Sequence, residues 1–238
     1  MTITEAADPG AMVRAMRAMQ FSDTMLPVGS FSFSNGLETG VAEGLIVDEP
    51  SLREFVAASV HQAAGCDGIA VLHAHRAATA QDPTGVAEAD AAVWERKLNE
   101  EARTMVTRMG RKAAELGLRL VPGSAPIGDW LAQIKAGATP GTYPATQGLI
   151  LAEVGGTEEE AFGVHQYGIA ATVLGAALRL VRVDHLDAQK ILYDVNASIG
   201  EDYERIRGLG LDDMSTFAPM LDIFASIHVG SHVRMFMN

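Results

Sequence analysis

Seven histidines in a chain of 238 residues and net charge -12 raise the question of metal binding first. His228 and His232 are four apart and share a face of any helix that holds them, a spacing that suits chelation of one ion. Gly230 between them weakens such a helix, and the nearest further ligand is Asp222. The pair is therefore only a weak metal candidate, and capping or interface packing is the favoured reading. His73 and His75 are two apart, which on a helix separates them by about 200°, and they read as independent surface or interface groups. The single cysteine, Cys66, excludes an internal disulfide and a cysteine-based zinc cluster, and reads as a small buried hydrophobe. Ser30, in Gly29-Ser30-Phe31, lacks the second glycine and the preceding strand of a nucleophile elbow. Neither a phosphate-binding loop nor a dinucleotide fingerprint is present. No catalytic residue and no cofactor are assigned, and enzymatic activity is not expected.

The stretch Leu26-Pro27-Val28-Gly29-Ser30-Phe31-Ser32-Phe33-Ser34-Asn35-Gly36-Leu37-Glu38 is too rich in glycine, serine and aromatics for an ordinary helix and too apolar for an idle loop. Pro27 fixes one dihedral, and Gly29 and Gly36 permit turns. Phe31 and Phe33 are expected to pack this loop against the core, with a helix starting near Leu37. At the other end, Thr216 to Phe224 and Ser231 to Asn238 carry large apolar groups to the last residue. Such a terminus needs a covering surface, in cis or in trans.

The elements that must position these segments are helical. A tail over residues 1–11 leads into a first helix marked by Met12, Val13, Met16 and Met19. Ser51 reads as an N-cap with Glu54 as its reciprocal partner, and Thr157 with Glu160 repeats the pattern. Gly65 to Gly68 is expected to break a helix. Val86 to about Leu118 reads as one long amphipathic helix and as the longest in the chain. The Gly137 to Pro144 loop reads as a boundary between halves, Gly148 to Val154 is ambiguous between helix and strand, and His185 to about Ile206 reads as one helix. No window alternates convincingly as a strand. The expected fold is all-α, a single bundle-like domain of about eight to ten helices over 12–238.

With 48% hydrophobic residues and a pI near 4.9, the chain has ample core material and a surface that repels phosphates. Nucleic acid is not an expected partner. The longest apolar run, Gly168 to Leu178, is too short to span a bilayer, so a soluble cytoplasmic protein is expected.

Three segments together resemble one family, the urease accessory protein UreF. Leu26, Pro27, Gly29, Ser30, Phe31, Ser34, Gly36, Leu37 and Glu38 match a signature of the type L-P-x-G-S-[FY]-x-x-S-x-G-L-E. Glu101-Ala102-Arg103 with Met109-Gly110 resembles the central E-x-R…M-G pattern. Phe217-Ala218-Pro219-Met220-Leu221-Asp222-Ile223, then His228 and Arg234-Met235-Phe236, is similar to the F-x-P-x-L-D-I…H…R-L-F ending. The stretch Arg179 to His185 resembles the family's R-L-V-P-L-G-Q in its first half only, lacking the proline and the glycine.

The resemblance implies an all-α homodimer without enzymatic activity of its own. In such proteins the expected role is to bridge a UreG-like GTPase and UreD, also called UreH, on the urease apoprotein during GTP-dependent nickel insertion. It marks Pro27, Gly29, Ser30, Phe31, Gly36, Glu38, Arg179, Leu221, Asp222, His228, Arg234 and Phe236 as partner-binding residues. A helical effector or ligand-binding domain of a regulator is the alternative, which a single large apolar cavity holding a small molecule would favour.

Overall fold

The structure is a computed structural model describing residues 9–215, 218–228 and 235–237, and among these residues it is built of α-helices with no strand. The all-α expectation holds. Helix α1 (Pro9–Ser22) starts inside the stretch expected to be a tail, because Pro9 suits a first turn whose N–H groups are unpaired in any case. It leads through the 23–36 loop into α2 (Leu37–Ala42).

Helix α3 (Glu49–Ala63) is capped by Asp48 rather than Ser51. The Asp48 carboxylate accepts from Ser51 N at 3.1 Å, and the Ser51 hydroxyl accepts from Asp48 N at 3.1 Å. Pro50 fixes this frame by sitting in the first turn, where its missing donor costs nothing. The expected break at Gly65 does not occur. Ala64–Gly68 forms a π turn, and α3 runs on into α4 (Ile69–Thr79) as one helix of 31 residues. Gly68 is kept there by packing, since a Cβ on it would lie 2.7 Å from the Phe162 ring.

Conversely, the long amphipathic stretch is two helices, α5 (Pro83–Arg96) and α6 (Glu100–Leu120). The Asn99 side chain caps Ala102 N at 2.7 Å, and extended backbone at Lys97 sends its ammonium to Asp67. Helices α7 (Ala125–Ala136) and α8 (Tyr143–Glu153) follow, the latter settling the ambiguous stretch as helix. The Thr157/Glu160 box starts α9 (Glu158–Leu180) as expected, with bonds of 3.2 and 2.8 Å. Past it the expected single helix is divided into α10 (His185–Asn196) and α11 (Ile199–Ile206), because the Ser198 hydroxyl turns back to the Val195 carbonyl at 2.9 Å. The last helix among the described residues is α12 (Pro219–His228).

Two apolar clusters form the interior. One joins α4, α5, α7 and α8 around Leu72, Ile127 and Ile150; the other joins α2, α3, α9, α10 and α12 around Leu37, Val56 and Ile191. The Gly137 to Pro144 loop is no boundary. Buried Asp90 on α5 accepts from Gly141 N at 2.9 Å, from Thr142 N at 2.5 Å and from the Thr139 hydroxyl. Helices α4 and α8 cross at Gly148, where a Cβ would stand 2.6 Å from the Val71 carbonyl, and α6 meets the same loop at Gly110, 2.0 Å from the Gly141 carbonyl.

Contrary to the bilayer expectation, Glu49–Thr79 and Glu158–Leu180 are long and apolar enough to cross a membrane by length and composition. Their apolar windows are 67% and 61% buried within the fold, as in core helices.

Candidate functional site

The 26–38 loop departs from helix because its glycines sit where an L side chain is strained. Gly29 has φ 87° and Gly36 φ 83°, and Asn35 between them has φ 54°. Ser30–Ser32 makes one 3₁₀ turn, after which Phe33 points inward, 3% exposed, and the buried Ser34 hydroxyl accepts from Glu38 N at 3.4 Å. Phe31 goes the other way: it is 72% exposed, so the expectation that both rings plug the core holds only for Phe33. The 3₁₀ turn separates them, because two residues apart in a tight turn do not share a face.

The far end of the chain returns to this loop. The Glu38 carboxylate accepts from Met235 N at 2.7 Å and from Phe236 N at 3.1 Å, and Met237 N donates to the Ser32 carbonyl at 2.8 Å. Phe236 is buried, and the Arg179 guanidinium lies 4.2 Å from its ring centroid while donating to the Phe31 carbonyl at 3.1 Å. Five of the marked residues, Gly36, Phe31, Glu38, Arg179 and Phe236, therefore meet at one corner. Pro27 is exposed on the same loop, with Gly29 and Ser30 half-buried beside it. The apolar terminus is covered in cis at Phe236, and Phe31 is the aromatic left outside. Leu221 packs instead on the second cluster from α12. Asp222 and His228 lie on α12 with side chains outside the described residues, as do Arg234, His232 and Phe217 altogether.

Beneath the loop lies a cavity of about 180 Å³ whose walls include Leu26, Val28 and Met109 and whose floor holds Tyr143, His165 and Asp67. Its polar floor escaped the sequence reading. Lys97 Nζ donates to both Asp67 oxygens, at 2.7 and 2.8 Å, in an ion pair almost shut from solvent. Burial alone would raise the Asp67 carboxyl, but Lys97, with support from His165, holds it below its ordinary range. Burial drives His165 down to about 4, against the pull of Asp67, so the imidazole is neutral at neutral pH. Burial also pushes the Cys66 thiol up to about 12, which leaves it neither thiolate nor ready metal ligand and agrees with its reading as a buried hydrophobe. The available signal was Asp67 itself, a lone carboxylate between Cys66 and the apolar run that begins at Gly68. His73 is 3.9 Å from Glu88 and His75 has a ring nitrogen 2.9 Å from the Gly156 carbonyl, so the two are independent as expected, but His75 is buried in the helix packing and is not a surface group.

The form is that of an all-helical protein, five of whose twelve marked residues gather on a loop-and-tail corner. Comparison with known proteins gives that form a family. The UreF family model matches residues 46–196. The chain is 48% identical to urease accessory protein UreF 2 of Brucella canis over 238 residues, covering 100% of this chain and 98% of the relative. The same values hold for UreF 2 of Brucella abortus (strain 2308). Urease accessory protein UreF of Yersinia enterocolitica serotype O:8 is 48% identical over 224 residues, 94% of this chain and 97% of the relative. The chain belongs to the UreF family of urease accessory proteins.

Proposed function

We propose that this chain is the helical bridging component of a cytoplasmic urease maturation complex. It links a UreG-like GTPase and a UreD/UreH-type accessory protein on the urease apoprotein, and it tunes GTP-dependent delivery of nickel, which is cargo here. It works as a homodimer and through contacts rather than chemistry of its own. The observation that carries this reading is the meeting of the 26–38 loop, Arg179 and residues 235–237, which leaves Phe31 exposed on a braced frame. A rigidly held exposed aromatic is the kind of group that anchors a protein interface. Pro27, Gly29, Ser30 and Gly36 shape that frame, Glu38, Arg179 and Phe236 lock it, and Leu221, Asp222, His228 and Arg234 extend the contact along the C-terminal segment.

The test is to express the urease structural subunits and the other accessory proteins with and without this chain, then measure nickel content and urease activity. Activation that depends on this chain, and is lost with Phe31→Asp while the variant stays folded, is expected. Equal activation without the chain overturns the reading.

A further inference from the structure

The outer face of α6 is basic in a strongly acidic molecule. Over the whole of α6 there are five cations and three carboxylates, two of the latter, Glu100 and Glu101, in its first turn, against a net -12 for the whole chain. Arg108, Arg111, Lys112 and Arg119 are exposed, and with Glu115 they fall within an arc of about 100° of the helix. The opposite side, with Val106, Gly110, Ala113, Ala114 and Gly117, is buried.

These cations differ from five others in how they are neutralised. Arg53, Arg76, Lys97, Arg205 and Arg207 each pair with a carboxylate of this chain. On α6, Glu115 alone serves both Arg111, at 3.3 Å, and Lys112, at 3.1 Å. Arg108 meets the Met237 sulfur at 3.4 Å, and Arg119 makes no ion pair among the described residues. Charge of one sign is thus left over on one rigid face, next to the corner through the Arg108 contact.

We propose that this face docks a protein partner through an acidic surface. Resting on the assembly reading above, it assigns one member of the urease complex to α6. A second copy of the chain is disfavoured, since a two-fold pair on this face would set the patch against itself. A nucleic acid would meet repulsion from the rest of the surface.

The test compares the wild-type chain with Arg111→Glu/Lys112→Glu/Arg119→Glu and with the neutral Arg111→Gln/Lys112→Gln/Arg119→Gln. Binding is measured to the GTPase, the second accessory protein and the apoprotein separately, and to poly-L-glutamate and a DNA duplex, at low and at physiological salt. Thermal unfolding confirms that the exposed substitutions leave the fold intact. The expected result is that the glutamate variant loses about tenfold or more in affinity for one partner and for poly-L-glutamate, that the glutamine variant falls between, and that wild-type affinity drops as salt rises. If wild type binds none of the three partners yet binds poly-L-glutamate through these residues, the assembly reading fails and the docking face stands. Binding of all three partners and of poly-L-glutamate within twofold of wild type by the glutamate variant overturns the proposal, as does a preference of wild type for duplex DNA over poly-L-glutamate.

Discussion

At Gly110 the chain needs room, and at Gly29 it needs a dihedral angle. In the interior a Cβ on Gly110 would stand 2.0 Å from the Gly141 carbonyl, while its backbone is ordinary helix. At the corner nothing lies within 4 Å of a Cβ on Gly29, but its φ is 87°. The same residue type thus marks two regions built on different terms. The interior is fixed by backbones in contact and by buried charge, and the corner by local turns braced from a distance by Glu38 and Arg179. A change inside should alter whether the protein folds, and a change at the corner should alter what it presents.

Gly110→Ala tests that division most severely. The Asp90-clamped loop cannot recede from α6, so the variant is expected to lose about 3 kcal/mol or more in urea unfolding. Gly29→Ala should lose only about 1 kcal/mol, for the strained dihedral. Equal losses would erase the distinction.

Acid sharpens it next. In the folded chain His165 titrates at about 4 instead of 6.5, so from pH 6.5 downward the unfolded chain takes up a proton that the folded chain refuses. The contribution of the neutral imidazole is complete above pH 6.5 and is lost as pH falls toward 4, by about 3 kcal/mol in all. The depressed Asp67 carboxyl adds its own loss only below the ordinary carboxylate range. His165→Leu should flatten unfolding free energy between pH 6.5 and 4.5, and an unchanged slope would remove His165 from the account.

Smallest in energy is Glu38→Gln at the corner. Weakening a carboxylate that serves two backbone donors costs about 1 kcal/mol. Amide exchange at Met235 and Phe236 should quicken while global unfolding barely moves; a matching drop in global stability would make the corner part of the core.

Helical class, the first helix and the Thr157 cap were legible because each is signalled by residues three or four apart, and the start of α2 because Gly36 closes a glycine- and serine-rich stretch. Part of what escaped depends on partners far away in sequence, although the Asp48, Asn99 and Ser198 contacts, which also escaped, each span only three residues. Four residues with two glycines read as a break at 65–68, and only Phe162, about a hundred residues on, turns Gly68 into a packing requirement. The division between α5 and α6 carries no glycine or proline; it follows from Lys97 leaving the helix to reach Asp67. At the site, the loop motif and the tail were each visible, but nothing local tells that Glu38 binds the backbone at 235 and 236, or that Phe31 and Phe33 part company.

The π turn has a mechanical consequence. Its wider winding inserts a phase shift in a rod that otherwise advances about 100° per residue, so the stripe of α3 that carries Phe55 and Val56 and the stripe of α4 that carries Leu72 engage different cores. One continuous shaft is thereby keyed at two angles. Removing a single residue between 64 and 68 would leave its composition almost untouched and put its two ends out of time with each other.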